Sequence, residues 1–237
     1  MAAAVVGKVQ NEEDGTVGRG REEVRARWLA EIPWWYSPWG HLAFPSVVGL
    51  GTIAVAIHAI HHLQAWQAFT VPAVLLLSNA VEWRVHKQVL HRRTWPLEEL
   101  YDQHTPNHHR VFVTEDMVIR SPREFRFVLM PFYAIVALFF LTAPLTLVLL
   151  LVGQPNVAAL FVVTSMAYVL SYEWLHLAYH LPPESFVGRM VGTLRRHHAI
   201  HHDPSLMQKW NFNVTIPLWD WVRGTIHRAT RSKPGPS

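Results

Sequence analysis

Apolar and polar positions divide the chain into two long uncharged blocks, with arginine-rich segments before, between and after them. From Ile32 to Val81, and again from Phe127 to Tyr172, there is no Asp, Glu, Lys or Arg. A membrane-spanning helix needs roughly 20 apolar residues, so each block has room for two spans. Each block also has a natural break, at HAIHHLQAW (His58 to Trp66) in the first and at GQPN (Gly153 to Asn156) in the second. The pattern predicts an all-α integral membrane protein with four transmembrane helices in two hairpins, at about 43–60, 66–85, 127–151 and 156–177. Pro45, Pro72, Pro131 and Pro144 read as kinks, which membrane helices tolerate. A buried soluble bundle is the competing reading, and the almost unbroken apolar run Leu141 to Val152 argues against it.

The flanks are polar. Residues 1–30 read as a flexible tail leading into a short amphipathic helix around Glu22 to Ala30, without the apolar core of a secretory signal. Trp34, Trp35, Tyr36 and Trp39 form an aromatic belt ahead of the first span. Residues 31–228 are expected to be a single membrane-embedded domain and 229–237 a disordered tail. Lysines and arginines fill the segment before the first hairpin, the segment between the hairpins and the segment after the second, while the hairpin turns have none. Those three segments are therefore expected on the cytoplasmic side, in a multi-pass topology with a helical cytoplasmic cap.

Composition sharpens this picture in two ways. Half the residues are hydrophobic and only 16% are charged, so the net charge of +4 fits basic membrane loops better than a nucleic-acid binder. With no cysteine, disulfides and thiolate metal sites are excluded. The 16 histidines nearly equal the 17 acidic residues, an excess that neither a core nor a surface requires.

The expected topology sorts those histidines. His86 and His91 fall at the cytoplasmic end of the second span, and His104, His108 and His109 in the large loop. His176 and His180 fall at the end of the fourth span, with His198, His201 and His202 just beyond it. His58, His61 and His62 belong to the opposite end, a bilayer core of roughly 30 Å away, and are set aside. His176 and His180 share a helix face, as do His198, His201 and His202 at i, i+3 and i+4. His104 and His108 are also four apart, although Pro106 interrupts a regular helix there. His86 and His91, five apart, would splay by about 140° on a straight α-helix. Neutral imidazole is a common metal ligand, and ten are too many for one ion, so two metals with four or five histidines each is the natural division. Ligand imidazoles usually donate their second N–H to a carboxylate or carbonyl, and Glu82, Glu173, Asp203 and Asp220 are placed in sequence to accept one.

His86-x4-His91, His104-x3-His108-His109, His176-x3-His180 and His198-x2-His201-His202 together resemble the fatty acid hydroxylase/sterol desaturase superfamily. Asn211, Phe212, Trp219, Asp220, Gly224 and Thr225 are similar to the family's usual tail, and the likeness covers roughly Ser78 to Thr225. The first-box spacing looks most like the fatty acid 2-hydroxylase branch. There are departures: one extra residue in the second box, Lys87 where arginine often stands, Asn213 where glycine is usual, and His197 as a competitor for His198.

The resemblance implies an all-α membrane enzyme with the ten histidines as ligands of two iron ions, zinc being able to replace iron in purified protein. It implies O2-dependent hydroxylation of an unactivated C–H bond in a membrane lipid, expected to be an acyl chain. Asn211 joins Glu82, Glu173, Asp203 and Asp220 as residues expected to support the ligands, and Trp83, Trp174 and Tyr179 are expected along the substrate route. Electrons are expected from a separate donor, a b-type cytochrome or a ferredoxin system. The alternatives are a sterol or carotenoid hydroxylase or desaturase, and a non-catalytic membrane protein with structural zinc.

Overall fold

A computed structural model describes residues 20–131 and 133–228; residues 1–19 of the segment expected at 1–30 as tail and short helix, and the tail expected at 229–237, lie outside the described residues. The described residues are helical with no strand, apart from one isolated bridge between Val113 and Asp116. Helix α1 spans 20–31, α2 Pro38–His58 and α3 Thr70–Val85. After a loop containing α4 (Glu98–Gln103) come α5 (Tyr133–Leu151), α6 (Pro155–Tyr179), α7 (Gly192–His201) and α8 (Leu218–Arg223). Two of these, α2 and α6, are long and apolar enough to cross a membrane.

The local chemistry explains the boundaries. Ser37 caps α2 by accepting from the Gly40 amide, with Pro38 in the first position, where its missing N–H costs nothing. Gly153, at a φ of 75°, turns the chain between α5 and α6, and Pro155 opens the latter. Of the four prolines expected as kinks, Pro45 and Pro144 are inside helices, whereas Pro72 sits in the first turn of α3 and Pro131 precedes α5. The third apolar helix therefore begins at Tyr133 rather than near 127. Pro131 disfavours helical backbone at Met130, and Phe125, Phe127 and Val128 are buried in a core with Val24 and Ile32. The first residues of that apolar run are core, not span.

Helix α6 is the central post, packing against α2, α3 and α5. It buries residues along its length, from Ala158 to Tyr179, while the outward faces of α2, α3 and α5 expose Val55, Leu77, Phe140 and Leu141. At the far end, Asn156 ties α6 to the first break: its side chain accepts from the His61 amide and donates to the His61 carbonyl and to Gln67. At the other end, α7 and the 104–128 loop fold back over the ends of α3 and α6, and every sequence box meets there.

Candidate metal centre

All ten box histidines are buried, none more than 8% exposed. They fall into two groups of five, one of His86, His91, His104, His109 and His201, the other of His108, His176, His180, His198 and His202. Within each group the candidate ligand nitrogens lie within 4.8 Å of one another. The groups abut: the His109 and His202 rings stack at 4.2 Å and those of His104 and His108 at 5.3 Å.

This partition departs from the pairings expected of a plain α-helix. His86 to Leu90 and His104 to His108 are π-helical turns, with the His91 amide bonded to the His86 carbonyl and the His109 amide to that of His104. A π turn returns residue i+5 to the face of residue i. His86 and His91 thus stack at 5.1 Å instead of splaying, and His104 pairs with His109 rather than with His108. His198 and His202, at i and i+4 about α7, enter the second group with His176 and His180, while His201 joins the first. The three histidines expected on one face are therefore divided between groups. The extra residue of the second box is accommodated by its π turn, and His104 is a full member of its group.

Hydrogen bonding fixes the tautomers. His108, His180, His201 and His202 donate from Nδ1 to the carbonyls of Phe127, Met117, Trp210 and Phe112 at 2.7–2.9 Å. His86 Nδ1 donates to the Phe212 carbonyl. A carbonyl only accepts, so each ring carries its proton outward and turns the Nε2 lone pair inward. His91 follows, because Thr105 commits its hydroxyl proton to the Leu90 carbonyl and accepts from His91 Nδ1 at 3.2 Å. Consequently His108 and His202 face each other Nε2 to Nε2 at 3.1 Å, and His91 and His201 at 2.9 Å, with lone pairs on both sides. Burial holds all four rings well below the ordinary imidazole range, so an extra proton does not bridge them. His86 is likewise pushed down to about 4. The buried Nε2 of His180 has no hydrogen-bond partner among the described residues. Converging, neutral, inward lone pairs in a dry site fit metal ions, and an imidazole set accepts iron and zinc alike.

A family model for fatty acid hydroxylases matches residues 71–225, from the first turn of α3 to Thr225, enclosing all ten histidines. The chain belongs to the fatty acid hydroxylase family. It is thereby placed among the hydroxylase and desaturase oxidoreductases, in the sterol desaturase/fatty acid hydroxylase superfamily, a membrane-associated and metal-dependent group. No curated protein and no solved structure matches it.

The carboxylates take a different place from the one expected: none of Glu82, Glu173, Asp203 or Asp220 bonds a clustered histidine, and backbone carbonyls accept from five of the rings instead. Asp220 accepts from the amides of Phe212 and Asn213, from Thr225 and from His197. Burial favours its neutral form, but these donors outweigh that and hold it below the ordinary carboxylate range. Glu82 accepts from Val214, Tyr168 and both the amide and hydroxyl of Thr215. The two acids thus clamp residues 212–215, the strip that carries the Phe212 carbonyl to His86. Glu173 accepts from the Met130 amide at 3.2 Å, and Asp203 binds Ser205. Asn211, left-handed at a φ of 59°, donates to the carbonyls of His197 and His227. Asn213, in place of the usual glycine, donates to the Asn79 carbonyl and accepts from the Asp220 amide. His197 faces Asp220 at 3.2 Å while His198 faces His202 at 3.0 Å, which decides between those neighbours.

Of the three aromatics expected along a substrate route, Trp83 and Tyr179 are packed and bonded, to Thr225 and to the Val214 carbonyl. Trp174 is 43% exposed and bonds Ser46 on α2. Lys87, the residue after the first box histidine, lies over the Trp83 ring at 4.8 Å. His58, His61 and His62 are exposed and belong to neither group. Sequence reasoning missed the carbonyls of Phe112, Met117, Phe127, Trp210 and Phe212, and the hydroxyl of Thr105. A carbonyl leaves no residue-type signal, and a lone threonine carries none either.

Proposed function

We propose that this member of the fatty acid hydroxylase family is a membrane-embedded di-iron enzyme that uses O2 to hydroxylate an acyl chain of a membrane lipid. The observation that carries the reading is the pair of buried five-histidine groups with inward-facing Nε2 lone pairs. His86, His91, His104, His109 and His201 would hold one ion, and His108, His176, His180, His198 and His202 the other. Five imidazoles are one short of an octahedral set, which leaves each ion a position for a small ligand. When bound, iron supplies the oxygen activation and C–H oxidation that no side chain here can perform.

The chain's own contribution is positioning and exclusion of water. Carbonyls fix His86, His108, His180, His201 and His202, and the Thr105 hydroxyl fixes His91, as neutral ligands, so these six lose no proton when metal enters. The rings of Phe112 and Phe212, both fully buried, lie against His180 and His201 at 4.5 and 5.6 Å and keep the ligands dry. Four spans with the histidine cap on the cytoplasmic face remain the topology that the uncharged blocks and basic segments favour, with lipid entering from the bilayer. Residues 31–228 then form one catalytic unit, served by a separate b-type cytochrome or ferredoxin donor.

The test is iron-loaded protein in detergent, given O2, a reductant and total lipid extract, with products weighed by mass spectrometry. A lipid heavier by one oxygen is expected, absent in His201→Ala. Loss of two hydrogens instead would replace hydroxylation by desaturation, and an oxidised sterol or carotenoid would replace the acyl substrate. Unchanged product in His201→Ala would sink the proposal. A structural-zinc reading shares the same donor set, and it would be favoured by zinc-loaded protein that consumes no O2 and unfolds on chelation.

A further inference from the structure

Three carbonyls of the second histidine group come from one stretch of chain. Phe112 receives the Nδ1 proton of His202, Met117 that of His180 and Phe127 that of His108. The His180 carbonyl returns a bond by accepting from the Ile119 amide at 2.9 Å. Besides that bond and one from the Thr114 hydroxyl to the Ala199 carbonyl of α7 at 2.9 Å, the stretch is held by α1, which lies outside the family-matched residues.

Arg25 of α1 is 3% exposed and reaches three points of the stretch at once. Its Nη2 donates to the Val118 carbonyl at 3.3 Å and lies 3.6 Å from Glu124, and its guanidinium sits 5.3 Å over the Phe112 ring. Glu124 in turn accepts from the Arg120 amide, and Arg120 bonds both Glu22 on α1 and Asp116. Val24 and Trp28 close the contact by packing with Phe112, Phe125 and Phe127. The first group is supported differently: the peptide group of its Trp210 carbonyl is tied by the Asn211 amide to the Thr225 carbonyl, and that of its Phe212 carbonyl by the Asn213 amide to Asp220.

We infer that Arg25 is a positioning residue for the second metal ion, acting through Glu124 and Phe112 on the carbonyls that orient His108, His180 and His202. This rests on the reading that each group binds a metal. Outer partners of metal-bound histidines change affinity by about 10–100-fold when removed, and Arg25 is expected to act at the lower end through its carbonyls.

The experiment uses the full chain in detergent, loaded anaerobically with ferrous iron, with release timed after adding a chelator. Wild type is expected to hold two irons. Arg25→Gln is expected to release one of them about tenfold faster and the other at the wild-type rate. Arg25→Lys, which keeps the charge near Glu124 and is the milder change should Arg25→Gln not fold, is expected to fall between. In the His201→Ala background the remaining iron should become labile on Arg25→Gln; in the His198→Ala background it should not change. Unaltered release in both Arg25 variants, or equal acceleration of both irons, would overturn the role of Arg25. Fewer than two irons in the wild type would instead sink the two-metal reading, and this inference with it.

Discussion

The two histidine groups have the same composition and opposite construction. The first is built from two i, i+5 pairs on π turns, His86 with His91 and His104 with His109, plus His201 from α7. The second is built from two i, i+4 pairs in α-helical stretches, His176 with His180 and His198 with His202, plus His108 from a π turn. Each lone member is the sequence neighbour of a histidine in the other group: His108 of His109, and His201 of His202. Adjacent residues on a helix point in different directions, so a doubled histidine is what joins two sites through one backbone. The scaffolds differ as well, since the tail 210–215 supports the first group and the 112–128 stretch the second. Two sites with separate supports should fail separately.

The largest effects are expected at the ligands. His201→Ala and His198→Ala should each lower bound iron from two to one per chain and cut product by more than about 100-fold, beyond the range seen for outer partners. Metal analysis of both variants checks this, and loss of both irons from either one would show a single inseparable site. Asp220→Asn should come next. It places an amide among donors that need an acceptor, at about 1–3 kcal/mol for a buried group left unsatisfied, and it should loosen the first group's iron while sparing the second's. A chelator-release series in Asp220→Asn reads the asymmetry directly. Thr105→Val removes the acceptor for His91 Nδ1 together with the donor to the Leu90 carbonyl, and is expected to cost about 1 kcal/mol, or roughly fivefold in affinity at the first group. The smallest effect belongs to His61, whose side chain is exposed and whose backbone alone bonds Asn156. His61→Ala should leave the iron count and the melting temperature unchanged.

Most of the helices and all ten histidines were legible in the sequence, for different reasons. Uncharged blocks and their proline and glycine breaks located α2, α3, α5 and α6 because long apolar runs bounded by such breaks fold as helices. The histidines stood out because ten imidazoles have no apolar role to fill. Their division was not legible. Spacing rules assume 3.6 residues per turn, and the two π turns at His86 and His104 break that assumption where it matters. The supports were hidden for another reason. Glu82 and Asp220 were expected beside imidazoles, yet their oxygens bind the amides of residues 212–215, and it is the Phe212 carbonyl, on the opposite side of the peptide group whose Asn213 amide Asp220 holds, that meets His86. Arg25, 87 residues before Phe112, carries no local signature of its part in the site.

The count of iron ions bound per chain after anaerobic loading bears most directly on the central claim. Two per chain, falling to one in His201→Ala and to one in His198→Ala, is the expected result. A single iron that disappears in both variants would mean that the ten histidines form one site, and would contradict the account.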